Sequence, residues 1–128
     1  MTEKDKIEGF LINLDITYEE VTDNTWVIND HEKGLEQVMI IVALPVVIIR
    51  VKVMEAADSM PIDFYKELLV LNSSDLVHGA YALDGNDVIL LDTHEFDHLD
   101  LEELQASLDA IGLALAQHYP VLSKYIKK

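Results

Sequence analysis

Residues 38–54, VMIIVALPVVIIRVKVM, are the most apolar part of the chain, and every other segment is read relative to them. The run is rich in Val and Ile, whose branched side chains are stiff at χ1 and favour strands. Its uninterrupted apolar portion, residues 38–49, is too short to span a bilayer, which takes ~20 residues. As one strand the segment would far exceed the usual ~5–6 residues. Pro45 divides it into two expected strands, 37–43 and 46–54. The turn carries no Gly or Asn to supply a positive φ, so a bend or bulge at Pro45 is the alternative to a tight hairpin.

The two strands have unusual faces. In the second, Val47, Ile49, Val51 and Val53 share one side, expected to be the core. Val46, Ile48, Arg50 and Lys52 share the other, which is apolar at its start and basic at its end. In the first strand both sides are apolar: Val38, Ile40 and Val42 on one, Met39, Ile41 and Ala43 on the other. A half-solvated sheet alternates more cleanly. A helix of the same chain, a second subunit or a ligand is therefore expected to cover the second face. The candidate partner-binding or dimer face is Ile40, Val42, Val46 and Ile48.

The rest of the chain supplies helices and hairpins. Thr2 and Asp5 make a capping-box start, followed by Ile7, Phe10, Leu11 and Leu14 at helical spacing, predicting a helix over residues 3–14. Residues 15–20 form an extended segment, and residues 25–28 a strand. Pro61 suits the first turn of a second helix, running to about Leu71. Ile62, Tyr65 and Leu69 lie on one stripe of it, with Phe64, Leu68 and Leu71 beside them, and a stripe that wide implies deep burial. Residues 78–83 and 87–92 read as strands joined by a strong turn, Asp84-Gly85-Asn86. Small Ala80 and Ala82 would let a helix lie close to their side of the sheet. Asp100 and Glu103 make a second capping box, and Leu101, Leu104, Leu108, Ile111 and Leu115 continue a long helix to about Gln117, where Pro120 is expected to end it. Residues 121–126 read as a short terminal helix, with Lys124, Lys127 and Lys128 near its carboxyl end. The order, α-β-β-β-α-β-β-α, predicts an α+β fold: an antiparallel sheet flanked by helices, in one domain over residues 1–128.

Composition narrows function by exclusion. The formal net charge is −15, from 24 acidic and nine basic residues. Nucleic acid and anionic membranes are poor partners for such a chain, because phosphate binding needs clustered Lys and Arg. There are no cysteines, which removes disulfides, thiol catalysis and Cys-based zinc sites. The first ten residues lack a basic region followed by an apolar core, so a cytoplasmic location is expected.

One segment matches a chemical motif. His94-Glu95-Phe96-Asp97-His98 fits H-E-x-x-H, in which two His four residues apart on one helix face bind zinc and Glu acts as general base. Against it, the segment follows a strand directly, and the best helix cap, Asp100, comes after it. No glutamate occurs beyond Glu103, and downstream of it only Asp109 and His118 remain as a third donor. The alternative reading, a small zinc-dependent hydrolase, rests on this segment alone. No glycine-rich phosphate loop or nucleophile turn is present, so no catalytic residue and no cofactor are assigned.

The stretch Leu71-Asn72, then His78-Gly79-Ala80-Tyr81-Ala82-Leu83-Asp84-Gly85, then Val88-Ile89-Leu90-Leu91 before an acidic long helix, resembles the YbjN-like branch of the type III secretion chaperone-like fold. The resemblance implies an antiparallel sheet flanked by helices, homodimerisation, and protein binding rather than catalysis. The expectation is a non-enzymatic, chaperone-like protein-binding module, acting as a homodimer through an apolar sheet or helix surface.

Overall fold

In the computed structural model, which describes residues 2–126, the chain opens on the expected capping box. Thr2 Oγ1 accepts from the Asp5 N–H at 3.1 Å, and Asp5 Oδ2 accepts from the Thr2 N–H at 3.2 Å. Helix α1 follows over Glu3–Asn13 and buries Ile7 and Leu11. Four strands come next: β1 (Thr17–Thr22), β2 (Thr25–Asp30), β3 (Leu35–Ala43) and β4 (Val46–Glu55). Helix α2 (Ile62–Ser74), the hairpin β5 (Ala80–Asp84) and β6 (Asp87–Glu95), and the long helix α3 (Leu101–Leu122) complete the order. Short 3-10 turns lie at Phe96–His98 and Ser123–Tyr125. Lys127 and Lys128 lie outside the described residues.

The strands form one antiparallel sheet in the order β1-β2-β3-β4-β6-β5. The α+β order expected from the sequence holds, and the extended segment after α1 joins it as an edge strand, β1. The β3–β4 hairpin turns through Leu44 and Pro45, joined by a cis peptide bond. Ala43 lies opposite Val46 and Ile40 opposite Ile49. The β5–β6 turn places Gly85 at φ +61°, in the left-handed region its residue type favours.

All three helices contribute to a single core cluster on one side of the sheet. Trp26, Ile28, Val38, Ile40, Val47, Ile49, Leu90 and Tyr81 meet Ile7 and Leu11 of α1, Phe64 and Leu68 of α2, and Leu104, Leu108 and Ile111 of α3. Three polar contacts tie α1 down: Trp26 Nε1 donates to Glu8 Oε2 at 2.9 Å, Lys6 Nζ donates to the Phe96 carbonyl at 2.6 Å, and Lys4 Nζ pairs with Glu20 Oε1 at 3.0 Å. At the other end, Gly112 of α3 lies so close to the Lys33 carbonyl that a Cβ there would collide with it.

Three expectations are corrected. Helix α3 does not stop before Pro120 but runs through it to Leu122. Proline cannot donate to the Ala116 carbonyl, but Ala116 is exposed, so water can take that acceptor, while buried Leu122 holds the last turn in the core. The helices lie over the Tyr81 side of β5, not over Ala80 and Ala82. The wide apolar stripe of α2 is only half buried: Phe64, Leu68 and Leu71 face the core, whereas Ile62 and Leu69 face outward.

Candidate protein-binding surfaces

The side of the sheet away from the helices carries Val27, Met39, Ile41, Val46, Ile48 and Leu91. Each is partly exposed, and none packs against the cluster that holds the helices. The candidate face expected from the sequence divides here. Val46 and Ile48 lie on this open side, but Ile40 and Val42 are buried on the helix side. The physical reason is the two-residue turn, which sets even-numbered residues of β3 opposite odd-numbered residues of β4. Ile40 therefore shares its face with Ile49, while Ile41 pairs with Ile48 on the other.

Charge on the open side is largely settled within the chain. Arg50 Nη2 bonds Asp84 Oδ2 at 2.9 Å. Because β6 lies between β4 and β5, the Arg50 side chain crosses that strand on the side that carries Ile89. Ile89 is buried although it is outside the core cluster. Lys52 Nζ lies 2.8 Å from Glu55 and 3.4 Å from Asp87. The hydrogen bond that Lys52 donates to Glu55, aided by Asp87, holds its ammonium above its ordinary range. Both cations of this side are thus matched by carboxylates, leaving an apolar band between them and β1.

A second apolar surface surrounds α2. Ile62, Leu69 and Val70 on its outer side, Val77 just beyond it and Leu83 on β5 are between 52% and 89% exposed. Beside them the β5 edge is closed at its centre. Tyr81 N–H donates to Asn72 Oδ1 at 2.7 Å, and Asn72 Nδ2 donates to the Tyr81 carbonyl at 3.2 Å.

The H-E-x-x-H segment does not form the arrangement its chemistry needs. His94 and Glu95 end strand β6, and His98 closes the 3-10 turn, so no helix brings the two rings to one face. His94 Nε2 pairs with Asp92 Oδ2 at 3.0 Å, and the Ser107 hydroxyl donates to the same oxygen at 2.7 Å. This cluster pins α3 to β6. Exposed His98 instead approaches Glu95 at 3.4 Å. Among the described residues no three potential metal ligands converge.

The sequence offered His118 only as a possible metal donor, and the structure gives it a different place. His118 of α3 bonds Tyr81 of β5, with His118 Nδ1 2.7 Å from the Tyr81 hydroxyl. The signal was present: His118 falls on the stripe of Leu104, Leu108, Ile111 and Leu122, a position that points into the core.

The family model CesT_Tir_1 matches residues 1–128. The chain belongs to this family of type III secretion chaperones. The fold agrees with that of solved relatives. A chain of the heterodimeric ExoU–SpcU complex from the type III secretion system of Pseudomonas aeruginosa aligns with a TM-score of 0.73 at 17% identity, covering 92% of this chain and 98% of that one. YbjN from E. coli aligns with a TM-score of 0.70 at 12% identity, covering 92% of each chain. The Yersinia pestis type III secretion chaperone SycH, solved with a fragment of YscM2, aligns with a TM-score of 0.64 at 12% identity, covering 91% of this chain and 98% of that one. No curated protein matches the sequence. Among the described residues, no helix is long and apolar enough to cross a membrane.

Proposed function

We propose that this chain is a non-enzymatic, chaperone-like protein-binding module that works in the cytoplasm as a homodimer. The outer side of α2 meets its copy, and the open side of the sheet receives an apolar segment of a partner protein. The observation that carries this reading is the pair of uncovered apolar surfaces, one around α2 and one on the sheet, in a chain whose three helices all pack on a single face. Membership of a chaperone family supports it, as do similar structures in which a chaperone is held with a protein partner. The surplus surface of α2 is suited to self-association, since a twofold contact uses the same patch twice.

Sedimentation at micromolar concentration tests the reading. The wild type is expected to be a dimer, more stably so in moderate salt, because screening weakens the repulsion between copies that each carry −15. Burying a Leu side chain contributes ~1.5–3 kcal/mol, and Leu69 would count once from each copy. Leu69→Glu should therefore weaken the dimer by roughly 10²–10⁴-fold while leaving the thermal melt of the subunit nearly unchanged. Ile48→Lys, on the open sheet, should leave the dimer intact. A wild type that is monomeric at low and moderate salt overturns the homodimer. Dissociation by Ile48→Lys rather than by Leu69→Glu would move the contact to the sheet.

A further inference from the structure

Three elements meet at the carboxyl end of α2, and one imidazole joins them. His118 of α3 is 3% exposed. Its Nδ1 is bonded to the Tyr81 hydroxyl of β5 at 2.7 Å, and its Nε2 lies 3.3 Å from Asp75 Oδ2. Asp75 is the residue that closes α2, and its own side chain is half exposed. The Asp75 contact is long and poorly aligned, so Nε2 is buried without a proper hydrogen bond. A buried polar atom in that condition is costly, and a stronger interaction with the carboxylate would relieve it.

Few groups face this ring. Facing it are a phenol from β5 and a carboxylate from the end of α2. Its neighbours one turn away on α3, Ala114, Leu115, Val121 and Leu122, are uncharged. The last turn of α2 contains no basic residue, so nothing on that helix offsets the partial negative charge of its final carbonyls. The phenol suits both states of the ring. Burial first, and the nearby Asp75 charge second, push the Tyr81 ionisation up to about 12. Tyr81 thus remains a neutral hydroxyl, able either to donate to Nδ1 or to accept from it.

We propose that Asp75, His118 and Tyr81 form an acid-strengthened latch that fastens the carboxyl end of α2 to α3 and β5. In the neutral ring, Nδ1 accepts from the Tyr81 O–H and Nε2–H lies beside Asp75 without bonding it. When a proton binds Nδ1, the Tyr81 hydroxyl rotates to accept from it. The imidazolium then faces the Asp75 carboxylate as an ion pair, charge-assisted and shielded from water on the imidazole side. The latch stands whether or not α2 also meets a second copy of the chain.

Amide hydrogen exchange at Asp75 and Leu76 reads the latch directly, because both N–H groups bond the Leu71 carbonyl, at 3.1 and 3.3 Å. The comparison is of protection factors, which remove the intrinsic pH dependence of exchange, at pH 7.5 and 5.5. In the full chain, protection at these two amides should rise several-fold on acidification. The rise should vanish in Asp75→Asn, which keeps the surface and fold but removes the anion, and in His118→Gln. Equal protection at both pH values in the wild type overturns the latch. So does a rise of the same size in Asp75→Asn, and that variant decides the matter if His118→Gln does not fold.

Discussion

The side-chain amide of Asn72 makes to Tyr81 both hydrogen bonds that a neighbouring strand would make, one to its N–H and one to its carbonyl. A helix residue thereby stands in for a strand at the edge of the sheet and discourages another chain from pairing there. Net contributions of ~1 kcal/mol for each such bond, with a further penalty for groups left unpaired, set the expectation that Asn72→Ala destabilises the fold by about 1–3 kcal/mol in urea unfolding. Asn72→Asp keeps the acceptor for the Tyr81 N–H but sets a carboxylate oxygen against the Tyr81 carbonyl, so it too should destabilise the fold. A midpoint unmoved by Asn72→Ala would show that the amide is ornamental.

Two glycines are required for unrelated reasons, and thermal melts should separate them. At Gly112 the obstacle is space: a Cβ would strike the Lys33 carbonyl, a backbone atom that cannot turn aside. Gly112→Ala should therefore cost about 1–3 kcal/mol, although alanine in an open helix interior gains ~1 kcal/mol over glycine. Gly9→Ala in α1, where nothing lies within 4 Å of the new atom, should show that gain. At Gly85 the surroundings are also empty, but φ is +61°, so Gly85→Val should cost about 1–2 kcal/mol through the backbone alone. Stabilisation by Gly112→Ala would mean that α3 is free to shift away from the Lys33 carbonyl.

Alkaline titration followed by tyrosinate absorbance should divide the five tyrosines. Tyr81 is raised from 10.0 to about 12 by burial and by Asp75. The sign follows: the folded state prefers the neutral phenol, so this contribution is whole below pH 10 and is lost as pH rises from 10 to about 12. One tyrosine should ionise late or only together with unfolding, and Tyr81→Phe should remove that phase. A single unshifted titration of all five would refute the burial of this hydroxyl.

The local signals in the sequence carried far. Thr2 and Asp5 marked the start of α1, Asp100 the start of α3, and Asp84-Gly85-Asn86 the β5–β6 hairpin, because each acts within a few residues of chain. What needed the third dimension was less legible. Ile40, Val42, Val46 and Ile48 looked like one surface, but a two-residue turn reverses the parity of the strands it joins, and the first two are core. Likewise the periodicity of α2 revealed two apolar stripes without showing that the sheet has room for only one. His118 sat on a legible stripe, but its partners Tyr81 and Asp75 are far away in sequence and meet it only once α2, α3 and β5 have packed.

The Arg50–Asp84 tie acts as a belt drawn over β6, and a belt divides what it crosses. On one side Ile89 is shut away from water. On the other, Val27, Met39, Ile41, Val46 and Ile48 have no such strap above them. A single face of the sheet is therefore partitioned between a self-sealed end and a vacant one. Any visitor lying across the strands from the β1 margin meets a guanidinium already engaged, so the belt sets the distance at which its apolar contact must stop.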